Sequence, residues 1–181
     1  MPPDVTLEQL REELPDVARD TKINLTNVLG QSSLSDAQKY GVAVASALSA
    51  RNDRLAKAVL QEVAGKVDAS VIEDAKAAAS LMGMNNVYYR FRHMIGKPTY
   101  QEKPARLRMQ RLIQVASNKV DFELFCLASS AINGCEMCLG AHEKVVLEGG
   151  LTEDQVHDAV RIASVIHAAA VSLEIGEWTR A

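Results

Sequence analysis

Apolar residues recur along this chain at three- and four-residue intervals rather than in alternation. That spacing predicts helices almost throughout. Abundant alanine and only 5 prolines in 181 residues agree with it. Four helix starts carry a capping-box pattern: Thr6 with Gln9, Ser35 with Gln38, Ser70 with Glu73, and Thr152 with Gln155. Gly65 and the pair Gly149-Gly150 predict helix stops. Residues 96–104 hold two prolines and several charges, and predict a linker.

The pattern repeats. With the chain laid on itself at an offset of 84 residues, Ser46-Ala47 meets Ser130-Ala131, Leu55 meets Leu139 and Gly65 meets Gly149. Asp74-Ala75 meets Asp158-Ala159, Ala79-Ser80 meets Ala163-Ser164, and Val87 meets Val171. The expectation is one all-α domain over residues 1–181, built from two similar modules at about 35–95 and 119–179. In this frame Cys135, Cys138 and His142 face Arg51, Arg54 and Ala58, so only one module carries the thiol chemistry.

Composition narrows the function classes. Hydrophobic content of 48% and charged content of 24% describe a globular chain. With a net charge of -3 and no basic-aromatic cluster, nothing suggests nucleic acid. Uncharged runs such as residues 124–135 reach about a dozen residues, short of a membrane span. The opening residues lack the basic and apolar parts of a signal peptide, so the expected location is the cytoplasm. Three cysteines, Cys126, Cys135 and Cys138, make no structural disulfide framework.

The chemistry concentrates at residues 133–142. Asn133-Gly134 is a turn signal, which places Cys135 at a helix start where the dipole favours a thiolate. On a helix, Cys135, Cys138 and His142 fall at about 0°, 300° and 340°, on one face. The two thiols can reach each other and His142 can move a proton. Two alternatives stay open: a pair of small core residues, or a zinc site, for which only Cys126 remains as a further thiol. Glu123 shares a helix face with Cys126, Leu127 and Ser130. A buried carboxylate there is expected to have a raised pKa, against a solvated glutamate near a helix start. Cys126 and the methionines at 82, 84, 94 and 109 read as core residues. His93, His157 and His167 read as structural. Met137, at ~200° on the wheel, reads as a packing residue. Trp178 reads as an anchor for the tail, on the body or on a neighbouring subunit.

These residues also carry a resemblance. Phe122-Glu123-Leu124, Ser130-Ala131-Ile132-Asn133-Gly134-Cys135, Cys138 and Ala141-His142-Glu143 resemble the AhpD-like alkylhydroperoxidases, within the wider carboxymuconolactone decarboxylase-like group. So do residues 82–90 and the opening leucines Leu7, Leu10 and Leu14 before Pro15, and the likeness covers about residues 7–175. It implies an all-helical fold with an internal repeat and a homotrimer. It implies an antioxidant peroxidase that reduces organic hydroperoxides and regenerates an AhpC-type peroxiredoxin. It also implies no bound cofactor or metal, and electrons from a dihydrolipoyl group on a lipoyl carrier protein, served by dihydrolipoamide dehydrogenase.

By position, the resemblance makes Cys138 the thiol that becomes a sulfenic acid. Cys135 is the proton donor and resolving thiol, joined to it in a Cys135–Cys138 disulfide. Glu123 and His142 form the proton relay. The family pattern has a histidine where this chain has Met137; since that position points away from the thiols, activity is expected to survive. Helix-dipole reasoning favours Cys135 as the more acidic thiol, whereas the resemblance assigns attack to Cys138. Two rival functions are a decarboxylating lyase on the same fold and a non-catalytic thiol redox sensor.

Overall fold

Three of the expected capping boxes open helices. In each, a Thr or Ser hydroxyl accepts from the N–H three residues on while the Gln side chain accepts from the cap's own N–H. The computed structural model describes residues 5–179. Its helices are α1 (Leu7–Glu12), α2 (Arg19–Asn27), α3 (Asp36–Ala50), α4 (Asp53–Val63), α5 (Ala69–Ile95), the single-turn α6 (Pro98–Gln101), α7 (Lys119–Asn133), α8 (Glu136–Glu148) and α9 (Glu153–Trp178). Two short 3-10 turns complete the regular structure, and no strand occurs among the described residues. The fold is all-α.

Ser70 is not a cap. Asp68 accepts from the Ser70 N–H at 2.8 Å and from its hydroxyl at 2.7 Å, so α5 opens two residues early. A carboxylate is the stronger acceptor and is reached first. The glycine stops stand: Gly65 takes φ 77 just beyond α4, and Gly150 takes φ 97 just beyond α8. Between α5 and α7 lies a largely irregular segment that includes the 96–104 stretch.

Helices α3 and α7 form the centre and pack on each other, with α5, α8 and α9 around them. From Phe122 to Ser130 every residue of α7 is buried. Phe122, Leu124, Phe125 and Leu127 are together worth several kcal/mol at about 1.5–3 kcal/mol per side chain. Gly41 on α3 makes the contact possible, since a Cβ there would lie 2.1 Å from the Phe125 ring. Of the methionines expected inside, Met82 is fully buried, but Met94 is 78% exposed. Trp178 is exposed at the end of α9 rather than seated on the body.

The count of uncharged residues understates α9. It is the one helix among the described residues long and apolar enough to cross a membrane, with an 18-residue window of mean hydropathy 1.4. Half of that window is buried inside the protein, against α3, α7 and α2, which is how a central helix of a bundle passes the same test.

At the 84-residue offset, each boundary of α3, α4 and α5 falls within one residue of its counterpart in α7, α8 and α9. The caps refine the correspondence. Asn52 caps α4 and Cys135 stands at the same place before α8, so the counterparts of Cys135, Cys138 and His142 are Asn52, Leu55 and Val59 rather than Arg51, Arg54 and Ala58.

Asp74 holds the irregular segment against the body. Its carboxylate, fully buried on α5, accepts from the N–H groups of Ala116 and Ser117, from the Ser117 hydroxyl at 2.7 Å and from Arg111 at 2.7 Å. Burial pushes its pKa up, but the Ala116 and Ser117 hydrogen bonds and the Arg111 charge outweigh this and hold it below the usual value. The depressed folded pKa means that its stabilisation is present above about pH 4 and is lost as pH falls through the folded value. Asp74→Ala is expected to lower unfolding free energy by about 3 kcal/mol at pH 7, measured by urea titration. The loss should shrink in acid; a loss independent of pH would contradict this role.

Candidate active site

Asn133-Gly134 ends α7, with Gly134 at φ 66 and its N–H donating to Ala131 and Ser130 carbonyls. The chain turns at once into α8, and Cys135 is the N-cap residue. Its N–H donates to the Ser130 carbonyl at 3.1 Å, which ties the turn back to α7. Where Asn52 caps α4 by accepting from Leu55 N at 3.0 Å, Cys135 makes no side-chain cap bond. The first turn of α8 therefore has a sulfur at its cap position instead of a hydrogen-bonding oxygen.

Cys135 and Cys138 form a disulfide, with Cα atoms 5.3 Å apart. Both residues are buried, Cys135 completely. His142 follows one turn after Cys138, on the same face of α8. Its Nδ1 lies 2.6 Å from Glu123 Oε2, so the histidine and the glutamate meet across the α7–α8 contact. Both side chains are nearly enclosed. With Nδ1–H donating to the carboxylate, Nε2 is the nitrogen that can accept a proton, and it faces Met82.

Sequence reasoning missed two partners of this pair. Lys119, one turn before Glu123 on α7, donates to Glu123 Oε1, and its ammonium also donates to the Leu112 carbonyl. The four-residue spacing was the available signal. Met82 Sδ lies 3.3 Å from His142 Nε2. No local pattern could have found it, because α5 and α8 meet only in the folded chain. Among the described residues no hydrogen bond joins the imidazole to either sulfur in this oxidised form.

The expected raised pKa of Glu123 is corrected. Burial does push it up, but hydrogen bonds from His142 and Lys119, with their charges, pull harder and hold it below the ordinary value. Glu123 is thus anionic at neutral pH. Cys126 is buried and free, its thiol pushed well up by burial and then by the Glu123 charge.

A polar lattice stiffens the turn from the other side. Asn86 on α5 donates to Ser130 Oγ at 2.9 Å and accepts from Asn133 Nδ2 at 3.0 Å, and Arg90 donates to the Asn133 carbonyl. The remaining histidines lie elsewhere. His93 meets Glu136 at 3.3 Å on the surface, and His157 and His167 are exposed along α9. Met137 is 38% exposed, so it does not pack into the core. No group of three or more His, Cys, Asp or Glu side chains with metal-binding geometry occurs among the described residues.

Comparison with known proteins places the whole chain. Residues 98–180 match the carboxymuconolactone decarboxylase family. The chain is 63% identical to the alkyl hydroperoxide reductase AhpD of Anaeromyxobacter sp. (strain K), covering 96% of this chain and 93% of that one. It is 62% identical to that of Anaeromyxobacter dehalogenans (strain 2CP-C), over 93% of this chain and 91% of that one. With the protein of the same description in Brucella canis it shares 48% identity, over 96% and 99% of the two chains.

The three cysteines should separate chemically. Iodoacetamide is expected to label no thiol in the folded oxidised protein; after mild reduction it labels Cys138, which keeps 6% exposure, well before the fully buried Cys126, which reacts only after unfolding. Peptide mass spectrometry reads this out; rapid native labelling of Cys126 would contradict the burial described.

Proposed function

The chain belongs to the alkyl hydroperoxide reductase AhpD family, and on that premise we propose that Cys135 and Cys138 reduce organic hydroperoxides with Glu123 and His142 as the proton relay. It is a peroxidase-type antioxidant enzyme. The observation that carries the residue assignment is the Cys135–Cys138 disulfide one turn from an imidazole held by a buried carboxylate.

The cycle starts from the reduced pair. Glu123 stays anionic and orients the imidazole, so His142 is the group that takes and returns the proton. Its position one turn from Cys138 favours that thiol as the nucleophile, even though the helix end favours a thiolate at Cys135. The Cys138 thiolate attacks the terminal oxygen of ROOH. The O–O bond breaks, Cys138 becomes a sulfenic acid, and the alkoxide takes a proton from Cys135 to leave as alcohol. The Cys135 thiolate then attacks the Cys138 sulfur. The S–O bond breaks, hydroxide leaves and is protonated to water by the relay, and the disulfide closes. A dithiol, which we take to be a dihydrolipoyl group, attacks the disulfide. A mixed disulfide resolves, leaving the donor oxidised and the pair reduced.

The donor is read as carried on a lipoyl protein and recharged by dihydrolipoamide dehydrogenase, with an AhpC-type peroxiredoxin as a further electron acceptor. No step calls for a bound metal or cofactor. Reduction by cellular dithiols fits a cytoplasmic location. The triplets α3–α5 and α7–α9 are read as two copies of one module, the second carrying the chemistry. Phe91 and Met94 are exposed one turn apart on α5, as is Trp178 on α9, which supports assembly into the homotrimer that the resemblance implies.

Turnover of a small alkyl hydroperoxide with dihydrolipoamide tests the assignment. Cys138→Ser and Cys135→Ser are each expected to lose roughly a thousandfold in kcat/KM or more. Full activity in both variants would overturn it, and activity insensitive to thiol alkylation would point to a lyase instead.

A further inference from the structure

The molecule has a cleft of about 770 Å³ bordered by Asn133, in the turn that leads into Cys135. Arg51, Lys76, Arg90 and His167 line it, and no Asp or Glu among the described residues does. That imbalance is notable in a chain of net charge -3. The rest of the wall is mixed, with the aliphatic side chains of Leu48 and Val87 among it. A volume of this size is that of a small-molecule site.

Two further observations bear on the cleft. Ser49 lines it, and the Ser49 hydroxyl is buried with no hydrogen-bond partner among the described residues. A buried hydroxyl without a partner is rare unless something else satisfies it. Arg51, the residue after α3, sits at φ 60, in the left-handed region that disfavours any side chain. At the matching place after α7 the chain has Gly134, at φ 66. The first module thus holds a strained arginine where glycine would fit freely, and Arg51 lines the cleft.

We propose that this cleft binds the carboxylate of an aliphatic acid, with Arg51 and Lys76 on the charged end and the apolar wall along the chain. Charge-assisted hydrogen bonds from a guanidinium suit a carboxylate, and the aliphatic wall adds apolar burial. The site is linked to the thiols. Arg90 and Asn133 border the cleft, Asn133 bonds Asn86, Asn86 bonds Ser130, and the Ser130 carbonyl accepts from Cys135. The acid is therefore either the far end of a hydroperoxide substrate or a separate effector of the same chemistry.

Calorimetric titration of the oxidised protein with decanoate tests the site without any turnover. Saturable binding is expected, weakened about tenfold or more in Arg51→Gly/Lys76→Gln, with decanol and inorganic phosphate each at least about tenfold weaker than decanoate. Arg51→Gly relieves backbone strain, so an unchanged or raised melting temperature shows that lost binding is not lost folding. Absence of saturable binding, equal affinity in the double variant, or phosphate as tight as decanoate would each overturn the proposal. Kinetics separate the two sources. If the acid is substrate, the double variant raises KM for 10-hydroperoxydecanoate and not for decyl hydroperoxide. If it is an effector, added decanoate changes kcat for the neutral hydroperoxide.

Discussion

A glutamate buried in the most buried helix of the molecule constrains everything around it. Glu123 lies in the run of α7 that supplies Phe122, Leu124 and Phe125 to the core. An isolated carboxylate there costs several kcal/mol in lost hydration. Two partners offset that cost: His142 from α8 at 2.6 Å and Lys119 from the first turn of α7. The carboxylate can remain charged only while α7 and α8 keep their mutual position. The same contact orients the imidazole that the proposed chemistry uses.

The turn between these helices is held to match. Gly134 takes the left-handed conformation, the Ser130 carbonyl receives the Cys135 N–H, and Asn86 reaches over from α5 to hold Ser130 and Asn133. Cys135 displaces what would ordinarily be a hydrogen-bonding cap, and Asn52 shows what that position looks like without chemistry. The two helix triplets differ most where α4 and α8 begin, one with a stable cap and one with a reactive sulfur. Arg51 and Gly134 invert the comparison, because there the strained residue belongs to the first triplet.

What could be read from sequence was mostly local. The caps at Thr6, Ser35 and Thr152 are three-residue patterns and each opens its helix. Ser70 misled because Asp68, a stronger acceptor, lies just ahead of it. The face shared by Cys135, Cys138 and His142 followed from helical periodicity, and the turn before it from Asn133-Gly134. Glu123 was legible as a buried acid but its ionisation was not. The direction of that shift depends on His142, 19 residues away, and on Lys119. Met82 against the imidazole and the clamp of Asp74 on residues 111–117 join segments remote in sequence, and no periodicity encodes them. The cationic cleft is likewise assembled from four helices and is invisible along the chain.

The central claim is that Glu123 and His142 act as one unit on the thiol pair, and a double-mutant cycle on single-turnover oxidation by a hydroperoxide measures it directly. Reduced wild type, Glu123→Gln, His142→Gln and the double variant would be mixed with excess hydroperoxide and followed to disulfide by quenched mass analysis. Each single change is expected to slow oxidation by roughly a hundredfold, and the double to be little slower than either. If the two effects multiply, or if either single variant reacts at the wild-type rate, the pair does not work as a relay.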